Sequence, residues 1–252
     1  MRFKDVVIRG SALLLMGVAM AGGSARAGAV VYSNDFQTNT AGFSSSSRTT
    51  LPTTADPTAP TSRYLGRFGT GNVTLGLTGL TAGQMYAVRF DLFLGATWDG
   101  SFGNSAGPDV FRLTAGSNTL VDASFGYATS EINGVQPLRQ SYSDETPVNG
   151  DPYTAAFYGR TGADVNYFSS TLRDNYSIYY FGHGAGNPIL TFIANGATET
   201  LTFSGLSLQS SSDEFWAIDN VSVTAVPEPS SIALSLIGLA AAGLYGRRRA
   251  RG

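Results

Sequence analysis

Between Gly28 and Ala225 the apolar residues recur with a period of two, and no long stretch with the 3.6-residue period of a helix interrupts them. Turn residues bound these runs, so the region reads as strands separated by short connections. The runs predict strands near Val30–Phe36, Arg63–Phe68, Asn72–Leu77, Gln84–Leu94, Val110–Thr114, Thr119–Phe125, Tyr176–Phe181, Ile189–Ala194, Glu199–Leu208 and Phe215–Thr224. Ala115-Gly116-Ser117-Asn118 reads as a hairpin connection, and Asn195-Gly196 is a strong turn signal. About ten strands with no helices between them predict an all-β fold, an antiparallel two-sheet β-sandwich of jelly-roll type. Gly28 to Ala225 is long enough for one domain with a sizeable core. Two inserts break the rhythm: Thr38–Thr61, rich in Ser, Thr and Pro, and Ala128–Arg173, rich in polar and aromatic residues. The first reads as disordered, whereas the second carries enough Tyr and Phe to pack.

The ends of the chain have a different character. At the front, Arg2, Lys4 and Arg9 precede the apolar run Ala12–Ala21, and Ala25-Arg26-Ala27 offers small residues at the cleavage positions. This is the pattern of a secretory signal peptide cut after Ala27, the alternative being a retained N-terminal anchor. The protein has no cysteine, which is consistent with export without disulfides and rules out a cysteine nucleophile.

At the back stand Val226-Pro227-Glu228-Pro229, an apolar run, and Arg247-Arg248-Arg249-Ala250-Arg251. The two prolines hold the hinge extended and away from helix. Ser231 to Gly246 is 16 residues. As a single transmembrane helix it would be about 24 Å long, shorter than a ~30 Å hydrocarbon core, so spanning requires arginine snorkelling or local thinning. The terminal arginines resist translocation and keep the C-terminus cytoplasmic.

This three-part tail, Val226 to Arg251, resembles the PEP-CTERM sorting signal of Gram-negative bacteria. The resemblance implies that Pro227, Glu228 and Pro229 are recognised by an exosortase and that the apolar helix is removed on processing. An uncleaved anchor is the plainer alternative. With a signal peptidase acting at the front, three regions follow: a signal peptide at 1–27, a sandwich domain at 28–225 and a sorting tail at 226–252. The expected location is the Gram-negative cell envelope, its outer surface or the extracellular matrix.

Charge narrows the partners. Of 16 basic residues, four precede Gly28 and four follow Pro229; of 18 acidic residues, only Asp5 precedes Gly28. The stretch between holds eight basic against 17 acidic residues, a net of −9. Such a surface repels phosphate backbones, which argues against nucleic acid, and attracts calcium.

Asn34-Asp35-Phe36 and Trp216–Val223 resemble the first and last strands of carbohydrate-binding-module jelly rolls of the galactose-binding-like fold, where the two termini lie side by side. That resemblance implies a structural calcium near Asp219, with Asp35 as second candidate, and an extracellular polysaccharide as partner. Carboxylates and carbonyls from adjacent strands suit calcium. Alternatively, Asp219 accepts backbone amides at the strand entry. Leu80 to Val223, the second insert excepted, is also similar to exported sandwich proteins that carry the same kind of tail, with Ala217 where glycine is usual.

Asp99 and Asp109 flank the glycine-rich loop Gly100–Gly107. Three readings are open: a shared cation, an acid–base pair for a glycan hydrolase or lyase, or a turn whose aspartates accept local amides. The sole histidine, His183, lies in Gly182-His183-Gly184 after Tyr179-Tyr180-Phe181. One histidine without cysteine excludes an ordinary zinc site. A serine triad would depend on His183, and no Gly-x-Ser-x-Gly elbow is present, so a bend between strands is the preferred reading. Phosphate-binding glycine loops are missing too, because Gly66–Gly71 precedes a strand. Among aromatics, Tyr153, Tyr158 and Tyr167 in the second insert, with Trp98, are the candidate sugar platform, and Trp216 is expected in the core. The chain is therefore read as non-enzymatic, structural or polysaccharide-binding, with a carboxylate glycan hydrolase or lyase as the rival.

Overall fold

A computed structural model describes residues 28–50, 62–101, 107–127, 139–143, 156–167, 175–183 and 189–227. The described residues form strands and connections without a helix. In chain order the strands are β1 (Val30–Asn34), β2 (Arg48–Thr50), β3 (Arg63–Phe68), β4 (Gly71–Thr78), β5 (Met85–Ala96), β6 (Val110–Ala115) and β7 (Asn118–Ser124). They continue with β8 (Arg139–Gln140), β9 (Phe157–Tyr158), β10 (Val165–Tyr167), β11 (Tyr176–Phe181), β12 (Leu190–Ile193), β13 (Thr198–Leu206) and β14 (Glu214–Ala225). The ten predicted strands are all present, with ends shifted by a few residues.

Two antiparallel sheets form the sandwich. The larger has eight strands, with the path β10-β11-β5-β14-β3-β2, β1 added beside β14 and β12 beside β5. The smaller is β4-β13-β6-β7. β5 and β14 are long enough to serve two neighbours each: β5 pairs β11 over Phe90–Gly95 and β12 over Met85–Val88. β14 likewise meets β3 at Trp216–Ile218 and β1 at Val221–Thr224. The first and last strands therefore pair directly, the neighbourhood expected from the two terminal motifs.

Strand alternation sorts the side chains into layers. In β4, Val73, Leu75 and Leu77 are buried while Asn72, Gly76 and Thr78 are exposed, so the smaller sheet has one wet face. In β14, Trp216, Ile218, Val221 and Val223 enter the core between the sheets with Phe90, Phe111, Leu113 and Phe203. The odd residues Phe215 and Ala217 instead join Tyr64, Phe93, Tyr176 and Ile178 in a second apolar cluster on the outer face of the large sheet. Arg67 lies over the Phe215 ring at 3.8 Å, covering it with a cation–π contact. Two covered faces explain why Phe90-Asp91-Leu92-Phe93-Leu94 reads as a near-continuous apolar run.

Two expectations change and a third gains detail. The first insert is not disordered over its described part: Arg48–Thr50 pairs with β3, and Phe43 bridges Leu75 and packs edge-on against Phe36. One half-buried aromatic packed against the core outweighs a polar composition here. The second insert contributes β8, β9 and β10, too short to leave a periodic signal. Buried Gln140 holds β8 and β9 to the body, accepting from Gly126 N and Arg160 N and donating to the Tyr142 and Thr161 carbonyls. Lastly, Asn195-Gly196 is a bend without hairpin pairing, because β12 lies in the large sheet and β13 in the small one. The Gly116-Ser117 connection does close a hairpin, with Gly116 at φ 54°. The signal-peptide and Ser231–Gly246 helix expectations lie outside the described residues.

Candidate functional site

One end of the sandwich gathers three carboxylates from both sheets. Asp99 follows β5 and bridges Gly126; Asp109 precedes β6, and its carbonyl accepts from Phe125 N at 3.1 Å. Glu214 opens β14 opposite Ala96. One carboxylate oxygen of each lies within 4.8 Å of the others. Asp109 is 0% exposed, Glu214 1% and Asp99 9%. Asp99 and Asp109, singled out across their glycine loop, thus do converge, and Glu214 joins them.

The Asp99 amide donates to Asp109 Oδ2. Gln209 donates from its backbone N to Glu214 Oε2 at 2.6 Å and from Nε2 to Asp99 Oδ2 at 3.2 Å. Asp109 Oδ1 is buried with no donor. Burial pushes the Asp109 carboxyl up to about 9, opposed by the Asp99 amide and reinforced by the Glu214 and Asp99 charges. Burial likewise lifts Glu214 to about 7, against the Gln209 amide, with Asp99 and Asp213 adding to the rise. Burial therefore keeps a proton on Asp109 at neutral pH when no cation is bound.

A second polar cluster lies on the outer face of the large sheet, where Asp91 and Asp219 are register partners. A bulge between Asp219 and Ser222 puts Asn220 at φ 49°, a left-handed conformation that asparagine tolerates. Asn220 Nδ2 donates to Asp91 Oδ2 at 2.7 Å. His183 Nε2 stands 2.6 Å from Asp91 Oδ1, and Arg89 Nη2 is 2.8 Å from His183 Nδ1. Because arginine can only donate, Nδ1 accepts and the ring proton sits on Nε2, facing Asp91. Burial and the Arg89 charge lower the His183 pKa against the pull of Asp91, while burial raises that of Asp91. Nδ1 thus takes the Arg89 donor and Nε2 faces Asp91, at a bend directly after β11. Asp91 was not among the sequence candidates; its one signal was the single acidic residue in an otherwise largely apolar strand, two residues after Arg89.

Asp219 is 3% exposed. Its Oδ1 accepts from Asn220 N at 2.8 Å and its Oδ2 from Ser62 Oγ at 3.1 Å, the amide-accepting arrangement. Burial raises its carboxyl to about 7, eased by those two donors and raised further by the Asp91 and Asp35 charges. Asp35 is exposed and caps its own turn, accepting from Gln37 N at 3.1 Å. Gln37 Nε2 in turn donates to Ser62 Oγ, so both carboxylates occupy one neighbourhood with their oxygens already serving donors. For calcium this pair is a weaker donor set than the three carboxylates around Asp109.

The aromatic candidates scatter. Trp98 is 2% exposed and donates its indole N–H to the Phe215 carbonyl at 3.0 Å, so it fills the core and offers no sugar platform. Tyr158 is exposed on β9; half-buried Tyr167 tilts against Tyr176. Trp216 is fully buried, as expected. Tyr153, Glu228 and Pro229 lie outside the described residues. Arg160 was overlooked: it is buried, donating Nε to the Tyr127 carbonyl and Nη1 to those of Tyr167 and Tyr176.

β14 ends at Ala225; beyond it Val226 N still donates to the Met85 carbonyl, and exposed Pro227 leaves the sheet. The class defined by the fold is an all-β antiparallel sandwich. Residues 225–249 match the PEP-CTERM protein-sorting motif, and the motif thus begins on the last residue of β14. The chain carries the address of an exosortase-sorted, exported, envelope-associated protein. No curated protein matches the chain. Among solved structures, the insecticidal delta-endotoxin Cry8Ea1 from Bacillus thuringiensis aligns at 15% identity and a TM-score of 0.30. The alignment covers 63% of this chain and 19% of that one.

Proposed function

We propose that this is a non-enzymatic protein of the Gram-negative cell surface or extracellular matrix. A jelly-roll sandwich related to carbohydrate-binding modules serves there as a structural or polysaccharide-binding unit. The carrying observation is the sorting motif at 225–249, which takes over where β14 stops. A signal peptidase cutting after Ala27 would leave a chain whose first strand starts at Val30 and pairs with the last. That pairing of the terminal strands supports the carbohydrate-binding-module likeness. An exosortase then recognises Pro227-Glu228-Pro229, and the apolar segment holds the chain in the membrane until processing.

Burial supports the non-enzymatic side. A general acid must touch the glycosidic oxygen, and Asp109 and Glu214 have almost no exposed surface. Polysaccharide binding rests on the exposed ring of Tyr158 with Tyr153 and Tyr167 in the same insert.

The test is mass determination of the mature protein from its native host, paired with retention on neutral and acidic polysaccharides and an assay for new reducing ends. The expected product lacks residues 1–27 and the apolar tail, is retained on polysaccharide if it acts as a binder, and releases no reducing ends. An intact chain found in the cytosol would overturn the sorting reading, and released ends the non-enzymatic one.

A further inference from the structure

Asp109 Oδ1 is fully enclosed, carries a lone pair without a donor, and belongs to a residue in contact with a second buried carboxyl, Glu214. Two buried carboxyl groups pressed together need a proton or a cation between them. Gln209 and the Asp99 amide are neutral, and each already serves one named oxygen. Asp213 adds a further negative charge nearby, its Oδ1 accepting from Thr97 Oγ1 at 2.9 Å. The three ligand oxygens lie within 4.8 Å of one another, a spread that one ion with metal–oxygen distances of about 2.3–2.6 Å spans.

We propose that Asp99, Asp109 and Glu214 bind a hard divalent cation, calcium by preference, at the end of the sandwich. Carboxylate-only donors select a hard ion, and mono- or bidentate binding gives calcium the variable coordination it accepts more readily than magnesium. The ligands sit beside β5 and β14 of the large sheet and β6 of the small one, so the ion would cross-link the sheets. Its role is structural, because all three side chains are buried. The site is independent of the sorting reading and distinct from the Asp219 neighbourhood.

The full-length chain in mild detergent, dialysed against chelator at pH 7.5, is titrated with calcium while thermal unfolding is followed. A parallel titration with Tb3+ reads luminescence sensitised by Trp98, the residue before Asp99. Calcium at about 100 times its Kd is expected to raise Tm by roughly 5 °C. Tb3+ is expected to luminesce and to be displaced by calcium. The Asp109→Asn/Glu214→Gln double variant should lose both responses, and Asp219→Asn should keep them. If the double variant does not fold, Glu214→Gln alone should weaken calcium affinity at least tenfold. The assignment is overturned if the wild-type chain responds to neither ion at about 10 mM, ten times the weakest extracellular calcium modules. It is equally overturned if the double variant still responds, if Glu214→Gln binds as tightly as wild type, or if Asp219→Asn abolishes the response.

Discussion

Replacing Asp219 with asparagine should flatten the dependence of stability on pH. In the folded protein this carboxyl titrates near 7, against an ordinary value of 3.8. The folded state thus holds its proton across a window in which the unfolded chain has released it. Stability from this group is fully present below about pH 4 and is lost as pH rises towards 7. A displacement of roughly three units at about 1.36 kcal/mol each gives a loss on the order of 4 kcal/mol across that window. Asparagine preserves the shape: its Oδ1 accepts from Asn220 N, and Ser62 Oγ can turn to accept the new amide. The assay is urea unfolding from pH 4 to 8 in chelator-containing buffer, read by the fluorescence of buried Trp98 and Trp216. Asp91, Glu214 and Asp109 are raised in the same direction and contribute their own slopes, so the informative quantity is the difference between wild type and variant. That difference should be small at pH 4 and favour the variant by a few kcal/mol at pH 7.5. Parallel curves for the two proteins would refute the argument that burial strands the Asp219 charge.

Trp216→Ala should cost about 3–5 kcal/mol in the same unfolding assay, because it removes a fully buried ring packed on Phe68 and Phe111 and the donor to the Gly69 carbonyl. It would also enlarge the recess of about 240 Å³ that Trp216 lines with Arg67 and Asn72. Gly182→Ala should destabilise by about 1–3 kcal/mol and disturb the His183 ring signals in NMR. Gly182 has φ 75°, and an added Cβ would meet the Val88 carbonyl at 2.8 Å. Gly196→Ala is the contrast: nothing lies within 4 Å of the new Cβ and its φ is not left-handed, so thermal unfolding should show a protein as stable as wild type or up to about 1 kcal/mol more stable.

Period-two alternation along Asn72–Leu77 or Phe215–Thr224 exposes the strands to sequence reading because each strand must present one face to a common core. The tail was legible for a similar reason: Pro227-Glu228-Pro229, the apolar run and the arginines act through local chemistry. Two of the three carboxylates were visible, since Asp99 and Asp109 sit ten residues apart across one loop. Glu214 was not, because it reaches them only through the pairing of β14 with β5, more than a hundred residues away in sequence. Likewise Asn195-Gly196 signalled a turn, but which sheet follows it depends on where β12 and β13 find partners. Trp98 read as a sugar-stacking ring until packing buried it beneath Phe125. Alternation, punctuation and terminal signals are properties of neighbours along the chain, and the sequence by itself determined them. The burial of Asp109, the tautomer of His183 and the company of Glu214 arise from contacts between distant segments, and only the tertiary structure decided those.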